Sequence, residues 1–170
     1  MGINGSKYKK IFSNDNLEIN ELEQKILSCI DTNDTHTLFN CLDELHKHNL
    51  TIDKYYRNYT LPYYVITSNL SSKEKYTLLS KLLKHYNFDL NKKIGNYGNI
   101  IVCSVDTEKY IPIYELLLEH GAEINCVDCS FTGTAIDILA NSRLNDDNEL
   151  RKFLISRGAK SISDGIVVVK

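Results

Sequence analysis

The sequence predicts an all-α protein, a solenoid of about four helix-turn-helix units, and three observations carry that expectation. Apolar residues recur at helical spacing along most of the chain. Polar turn formers, rather than the regular alternation of strands, separate the apolar segments. One segment, "LLEHGAEIN" from Leu117 to Asn125, also has copies: "LHKHNLTID" (Leu45 to Asp53), "LLKHYNFDLN" (Leu82 to Asn91) and "LISRGAKSI" (Leu154 to Ile162). If Asn49, Asn87, Gly121 and Gly158 mark equivalent turns, the repeat is about 34 to 38 residues long, within the range of helical solenoids. Gly and Asn suit these positions because they tolerate the left-handed conformation that closes a helix.

Taken in order, the units are expected at about 16–53, 54–92, 93–127 and 128–164, with tails at 1–15 and 165–170. In the first, Ile19, Leu22, Ile26 and Cys29/Ile30 form one stripe. Leu38, Leu42 and Leu45 form a second after the polar break "DTNDT". In the next unit Leu61 to Ile66 supply an apolar inner segment, "SNLSS" breaks it, and Ser71 with Glu74 has the spacing of a capping box. The helix behind that box carries Leu79, Leu82, Leu83 and Tyr86. The third unit runs from "NIIVCSV" to an outer helix near Pro112, a residue suited to a first turn, with Ile113, Leu116 and Leu117 inward. The fourth opens with "TAIDILA" at Thr134, passes through the polar loop "NSRLNDDN" and ends on Leu150, Phe153 and Leu154.

With these residues in view, "LLEHGAEINCVD" resembles the outer helix and exit turn of ankyrin repeats, and "RKFLISRGAKSISD" is a weaker copy. The inner-helix signature of that family, Thr-Pro-Leu-His-x-Ala, is degraded. In "YTLPYYVI" its first four positions fall on Leu61, Pro62, Tyr63 and Tyr64; in "GTAIDILA" Thr134 and Ile136 match, while Ala135 and Asp137 replace Pro and His. The third unit, Asn99 to Cys103, keeps only hydrophobicity. Long inter-helix loops and a composition rich in Asn, Ile, Lys and Tyr are similar to the ankyrin proteins of poxviruses and other large DNA viruses. Such proteins usually continue into an F-box-like segment, whereas this chain ends at "SDGIVVVK", so no F-box adaptor role is expected. The resemblance implies a non-enzymatic module that binds a host signalling protein of innate immunity or inflammation and inhibits it in the cytoplasm.

Composition agrees with a binding role. With 42 % hydrophobic and 25 % charged residues, the chain can bury a core of its own. A formal charge of −2 supplies no global pull toward nucleic acid. Five cysteines, an odd number, and a first segment without an apolar stretch point to a reducing, non-secreted compartment. No apolar run is long enough for a membrane span. The pair Cys126 and Cys129 forms a lone C-x-x-C with no second ligand pair, so a zinc site or redox centre is not expected. There is no triad, phosphate loop or paired-carboxylate frame, and therefore no cofactor or small-molecule substrate is expected.

The candidate contact residues lie on the turns that join successive units, because a stacked repeat presents those turns and its inner helices to a partner. The first turn, "TIDKYYRNYT", offers Tyr55, Tyr56, Arg57 and Tyr59, residue types that dominate interface hot spots; packing of two of these tyrosines between repeats is the plainer alternative. The second, "NKKIGNYGN", offers Lys92, Lys93 and Tyr97, and the third offers Asp128 and Phe131. The N-terminus, "MGINGSKYKK", matches the N-myristoylation pattern at Gly2, with Lys7, Lys9 and Lys10 as a second, electrostatic membrane signal. That match sets the alternative role, a myristoylated membrane-proximal scaffold.

Overall fold

A computed structural model describes residues 16–47, 60–95, 97–128, 133–141 and 148–164. Among these residues there are eight helices and no strand, as the all-α expectation requires. They are α1 (Asn16–Asp31), α2 (Thr35–Lys47), α3 (Leu61–Thr67), α4 (Ser72–His85), α5 (Ile100–Ser104), α6 (Ile111–Glu119), α7 (Ala135–Asn141) and α8 (Asn148–Ser156), followed by a 3-10 turn at Ile162–Asp164. The chain divides into two compact units, Met1–Ile52 and Asp53–Lys170.

In the first unit α1 packs on α2. Ile26, Leu27, Cys29 and Ile30 are buried on α1, and Leu38, Cys41 and Leu42 on α2, following the two predicted stripes. The turn between them closes on Asn33, in the left-handed region at φ 55°, with the Asp34 amide donating back to Cys29 O (2.8 Å). Asp34 then starts α2 by accepting the Thr37 amide (3.1 Å), and the hydrogen bonds from the Thr37 side chain and amide hold its carboxyl below the usual aspartate range.

In the second unit α3, α4 and α5 start on side-chain caps. Thr60 accepts from the Tyr63 amide ahead of α3, and Asn99 accepts from Val102 ahead of α5. Ser71 and Glu74 form the full capping box expected at α4: the Ser71 side chain takes the Glu74 amide, and Glu74 takes the Ser71 amide at 2.9 Å. Pro62 and Pro112 occupy first turns, where a missing N–H leaves nothing unbonded. The helices then alternate between two rows. The helix α3 packs on α4 and on α5, α5 packs on α7, α4 packs on α6, and α7 packs on α8. Odd-numbered helices thus follow one another along one row, with α4 and α6 behind them. The core between the rows includes Val65, Ile66, Leu78, Leu79, Leu82, Ile100, Ile101, Ile113, Leu117 and Ile136.

Within the second unit two asparagines make the same clip. Asn91 donates to Gly121 O (2.9 Å) and accepts from the Glu123 amide (2.6 Å). In the same way Asn125 donates to Gly158 O (3.1 Å) and accepts from the Lys160 amide (2.8 Å). Gly121 and Gly158 close α6 and α8 in the left-handed region at φ 87° and 93°, with the following amide donating back to Leu117 O and Leu154 O.

Asn87 does not share that conformation. The helix α4 instead leaves through an extended Tyr86 (φ −131°, ψ 145°) whose amide bonds Leu82 O. The physical reason lies in "YNFDL": Tyr86, Phe88 and Leu90 are buried while Asn87 and Asp89 are exposed, an alternation only an extended chain can satisfy. The Tyr86 and Phe88 rings meet edge to face at 6.3 Å and hold the exit in place. Asn49, expected at the first such turn, lies outside the described residues.

Candidate functional site

The row of α3, α5 and α7, together with the turns that precede α5 and α7, frames an open groove of about 520 Å³. The cap register explains which side chains reach it. Tyr63 and Val102 stand three residues after the caps Thr60 and Asn99, Cys103 and Ile138 stand four after Asn99 and Thr134, and Asp106 and Asn141 stand seven after the same two. Positions three, four and seven share one face; α5 turns Val102 and Cys103 to the groove, α7 turns Ile138 and Asn141, α3 adds Tyr63, and Asp106 reaches it from the turn after α5. Tyr63 OH reaches Cys103 O across that face at 3.4 Å.

The turns complete the groove and are closed by backbone bonds at equivalent places. The Ile94 amide donates to Gly98 O (3.0 Å) before α5, and the Asp128 amide donates to Gly133 O (2.9 Å) before α7. Ile94, Tyr97 and Asp128 line the groove from these turns. Tyr97 is 54 % exposed, which suits a contact residue, while Asp128 is only 5 % exposed and forms part of the wall rather than an exposed tip. Lys92 is half-buried and Lys93 exposed; they stand on the turn before Ile94 without lining the groove. The remaining sequence candidates, Tyr55, Tyr56, Arg57, Tyr59, Phe131, Gly2, Lys7, Lys9 and Lys10, fall outside the described residues, as does Cys129.

A buried ion pair fixes one wall. Lys75 on α4 meets Glu108 at 3.1 Å, with side chains only 11 % and 4 % exposed. Glu108 also accepts from the Ser72 hydroxyl (2.9 Å) and from the Lys109 and Tyr110 amides (3.0 Å each). Burial pushes this carboxyl up, but the bonds from Tyr110, Ser72 and Lys75, with the Lys75 charge, outweigh it and hold Glu108 below the ordinary glutamate value. Asp106 and Thr107 on the groove directly precede Glu108, so the anchor sets the position of the loop they occupy.

Asp137 plays the corresponding part at α7. It accepts from the Thr134 amide (2.9 Å), the Ile162 amide (3.1 Å) and the Ser161 hydroxyl, while Thr134 Oγ1 donates to Lys160 O (2.7 Å). Burial raises the Asp137 carboxyl and these bonds lower it, with a net fall below the usual range. The next residue, Ile138, lies on the groove.

Reasoning from sequence alone put the contacts on the turns and missed Tyr63, Val102, Cys103, Asp106, Thr107, Ile138 and Asn141. The signal that could have found them is the recurrence of cap residues at Thr60, Asn99 and Thr134. Counting forward from Asn99 reaches Val102, Cys103 and Asp106, and from Thr134 Ile138 and Asn141, whereas Thr60 leads only to Tyr63.

No group of three or more His, Cys, Asp or Glu side chains able to hold a metal occurs among the described residues. Cys126 is half-buried, with the Asn99 amide 3.4 Å from its sulfur, so it takes part in the contact between one turn and the next cap. No described helix is long and apolar enough to cross a membrane. No protein-family model matches the chain, and no curated protein matches it in sequence.

Proposed function

We propose that the chain is an ankyrin-type interaction module that captures another protein in the groove along α3, α5 and α7 and performs no chemistry of its own. The observation that carries this reading is the recurrence of a whole structural unit, not of one helix. The asparagine clip, the turn closure, the cap and the groove strip each reappear about one repeat length on. A protein built this way displays equivalent positions of successive units side by side, an arrangement suited to an extended partner surface. The wider resemblance to viral ankyrin proteins makes a host signalling protein the class of partner to look for, with binding as the means of inhibition.

Affinity capture from cell lysate with the intact chain tests this. The expected result is one dominant partner, retained by wild type and lost when Ile138→Arg fills the groove floor. Alanine substitutions at Tyr55 and Arg57 extend the test to the preceding turn. A chain that captures nothing above background, or whose partner is indifferent to Ile138→Arg, overturns the reading.

A further inference from the structure

The groove joins an apolar floor to polar side chains that make no hydrogen bond to another described residue. Ile94 and Val102 are buried in its floor, with Ile138 half-buried beside them. Around them stand the Asp106 carboxylate, the Tyr97 hydroxyl and the Asn141 amide, none of which bonds any other described residue. Asp128 adds a second carboxylate to the wall, and no lysine, arginine or histidine is among the lining residues. Lys92 and Lys93 stand next to Ile94 on the turn but do not line the groove, and two further lysines are held elsewhere. Lys75 is bound to Glu108, and the Lys109 ammonium donates to Val105 O.

We infer that the groove is specific for a basic-apolar polypeptide segment, one that sets an arginine or lysine head at Asp106 and Tyr97 and lays apolar side chains on Ile94, Val102 and Ile138. This inference rests on the proposed docking role and adds the chemistry of the partner. Charge complementarity selects the occupant. An acidic segment would bring its carboxylates against Asp106 with no cation in the lining to receive them, while a purely apolar one would leave the Asp106 carboxylate covered and unbonded. A guanidinium satisfies that carboxylate and also lies well on the face of a tyrosine ring. The Glu108 anchor holds the Asp106 loop in place before binding, so little ordering is required when the cation arrives.

Two short synthetic peptides of equal length test this on the intact protein, one alternating leucine with arginine and the other leucine with glutamate, followed by amide chemical shifts. The arginine peptide is expected to bind at least about tenfold more tightly, to weaken as salt rises, and to shift the signals of residues 102–107 and 137–141. Asp106→Asn, at an exposed position, leaves the thermal melt unchanged and is expected to weaken that peptide roughly tenfold, with Asp106→Lys weaker still. Equal binding of both peptides, shifts confined to the outer helices, or indifference to Asp106→Asn would overturn the inference. The two readings also fail separately. If Ile138→Arg abolishes capture of the lysate partner while Asp106→Asn leaves peptide binding unchanged, the charge selection is wrong and the docking groove stands.

Discussion

Glu108 is the side chain on which most depends at the scale of single residues. Its carboxylate serves a lysine, a hydroxyl and two backbone amides in a place almost without water. Glu108→Gln keeps an oxygen for the amides but strips the Lys75 charge of its counterion. Removing one member of a buried pair typically costs about 3 to 5 kcal/mol, and urea unfolding should show a loss of that size. Adding Lys75→Met should restore part of it, because no uncompensated charge then remains buried; a double variant no more stable than Glu108→Gln would show that the loss came from the amides. The same group sets an acid limit. Folded Glu108 and Asp137 both titrate below their ordinary values of 4.5 and 3.8. Above those values the carboxyls are ionised in folded and unfolded chains alike, and their stabilisation is fully present. As pH falls through them the unfolded chain binds protons that the folded one does not, and stability drops until the folded carboxyls are protonated too. The urea midpoint of wild type should therefore fall on acidification below about pH 4.5, more steeply than that of Glu108→Gln. Parallel curves for the two proteins would contradict the assignment to Glu108.

At the scale of elements, two glycines with positive φ make different demands. Gly121 closes α6 at φ 87° with open space where a Cβ would stand, so Gly121→Ala meets only the backbone penalty of about 1 to 2 kcal/mol. Gly133 lies at φ 117° at the end of the turn before α7, and a Cβ there would come within 2.4 Å of the Asp137 Cβ. Asp137 cannot yield without releasing Thr134, Ser161 and Ile162. Gly133→Ala should accordingly cost about 3 kcal/mol or more, the backbone penalty plus lost charge-assisted bonds, and thermal melts of the two variants should differ clearly. Gly121 was legible in the sequence because a glycine after an apolar helix end has a local meaning, as were the Ser71–Glu74 box and the first turns at Pro62 and Pro112. Asn87 misled, since asparagine fits both a left-handed turn and the exposed side of an extended exit. What decided between them was the alternation of Tyr86, Phe88 and Leu90 with Asn87 and Asp89, a strand-like pattern that the expectation of a turn passed over. Asn33 escaped notice for the converse reason: its polar surroundings in "DTNDT" looked like a generic break rather than a specific helix closure.

At the scale of the molecule, the all-α class was legible from periodicity, whereas the groove was not. A helical stripe shows which face turns inward, but it does not show that Tyr63, Cys103 and Ile138 from three helices meet along one strip. That needs the caps to be set in register across units, through clips such as Asn91 to Gly121 and Asn125 to Gly158. The same stitching has a consequence for folding. On the proposed repeat reading each element draws its stability from its neighbours, so a segment that contains those neighbours should fold without the remainder of the chain. The unit Asp53–Lys170 holds α3 through α8, the two rows they form, both clips and the Lys75–Glu108 anchor. It is also far longer than the roughly 40 residues below which a domain needs external staples. Prepared alone, residues 53–170 should retain a helical circular-dichroism spectrum and unfold in urea as one sigmoidal transition. The Glu108→Gln loss should reappear in it at about the same size, because every partner of Glu108 lies inside the fragment. A fragment that is unstructured, or that unfolds gradually without a transition, would show that the rows of α3 to α8 depend on residues 1–52 for their stability.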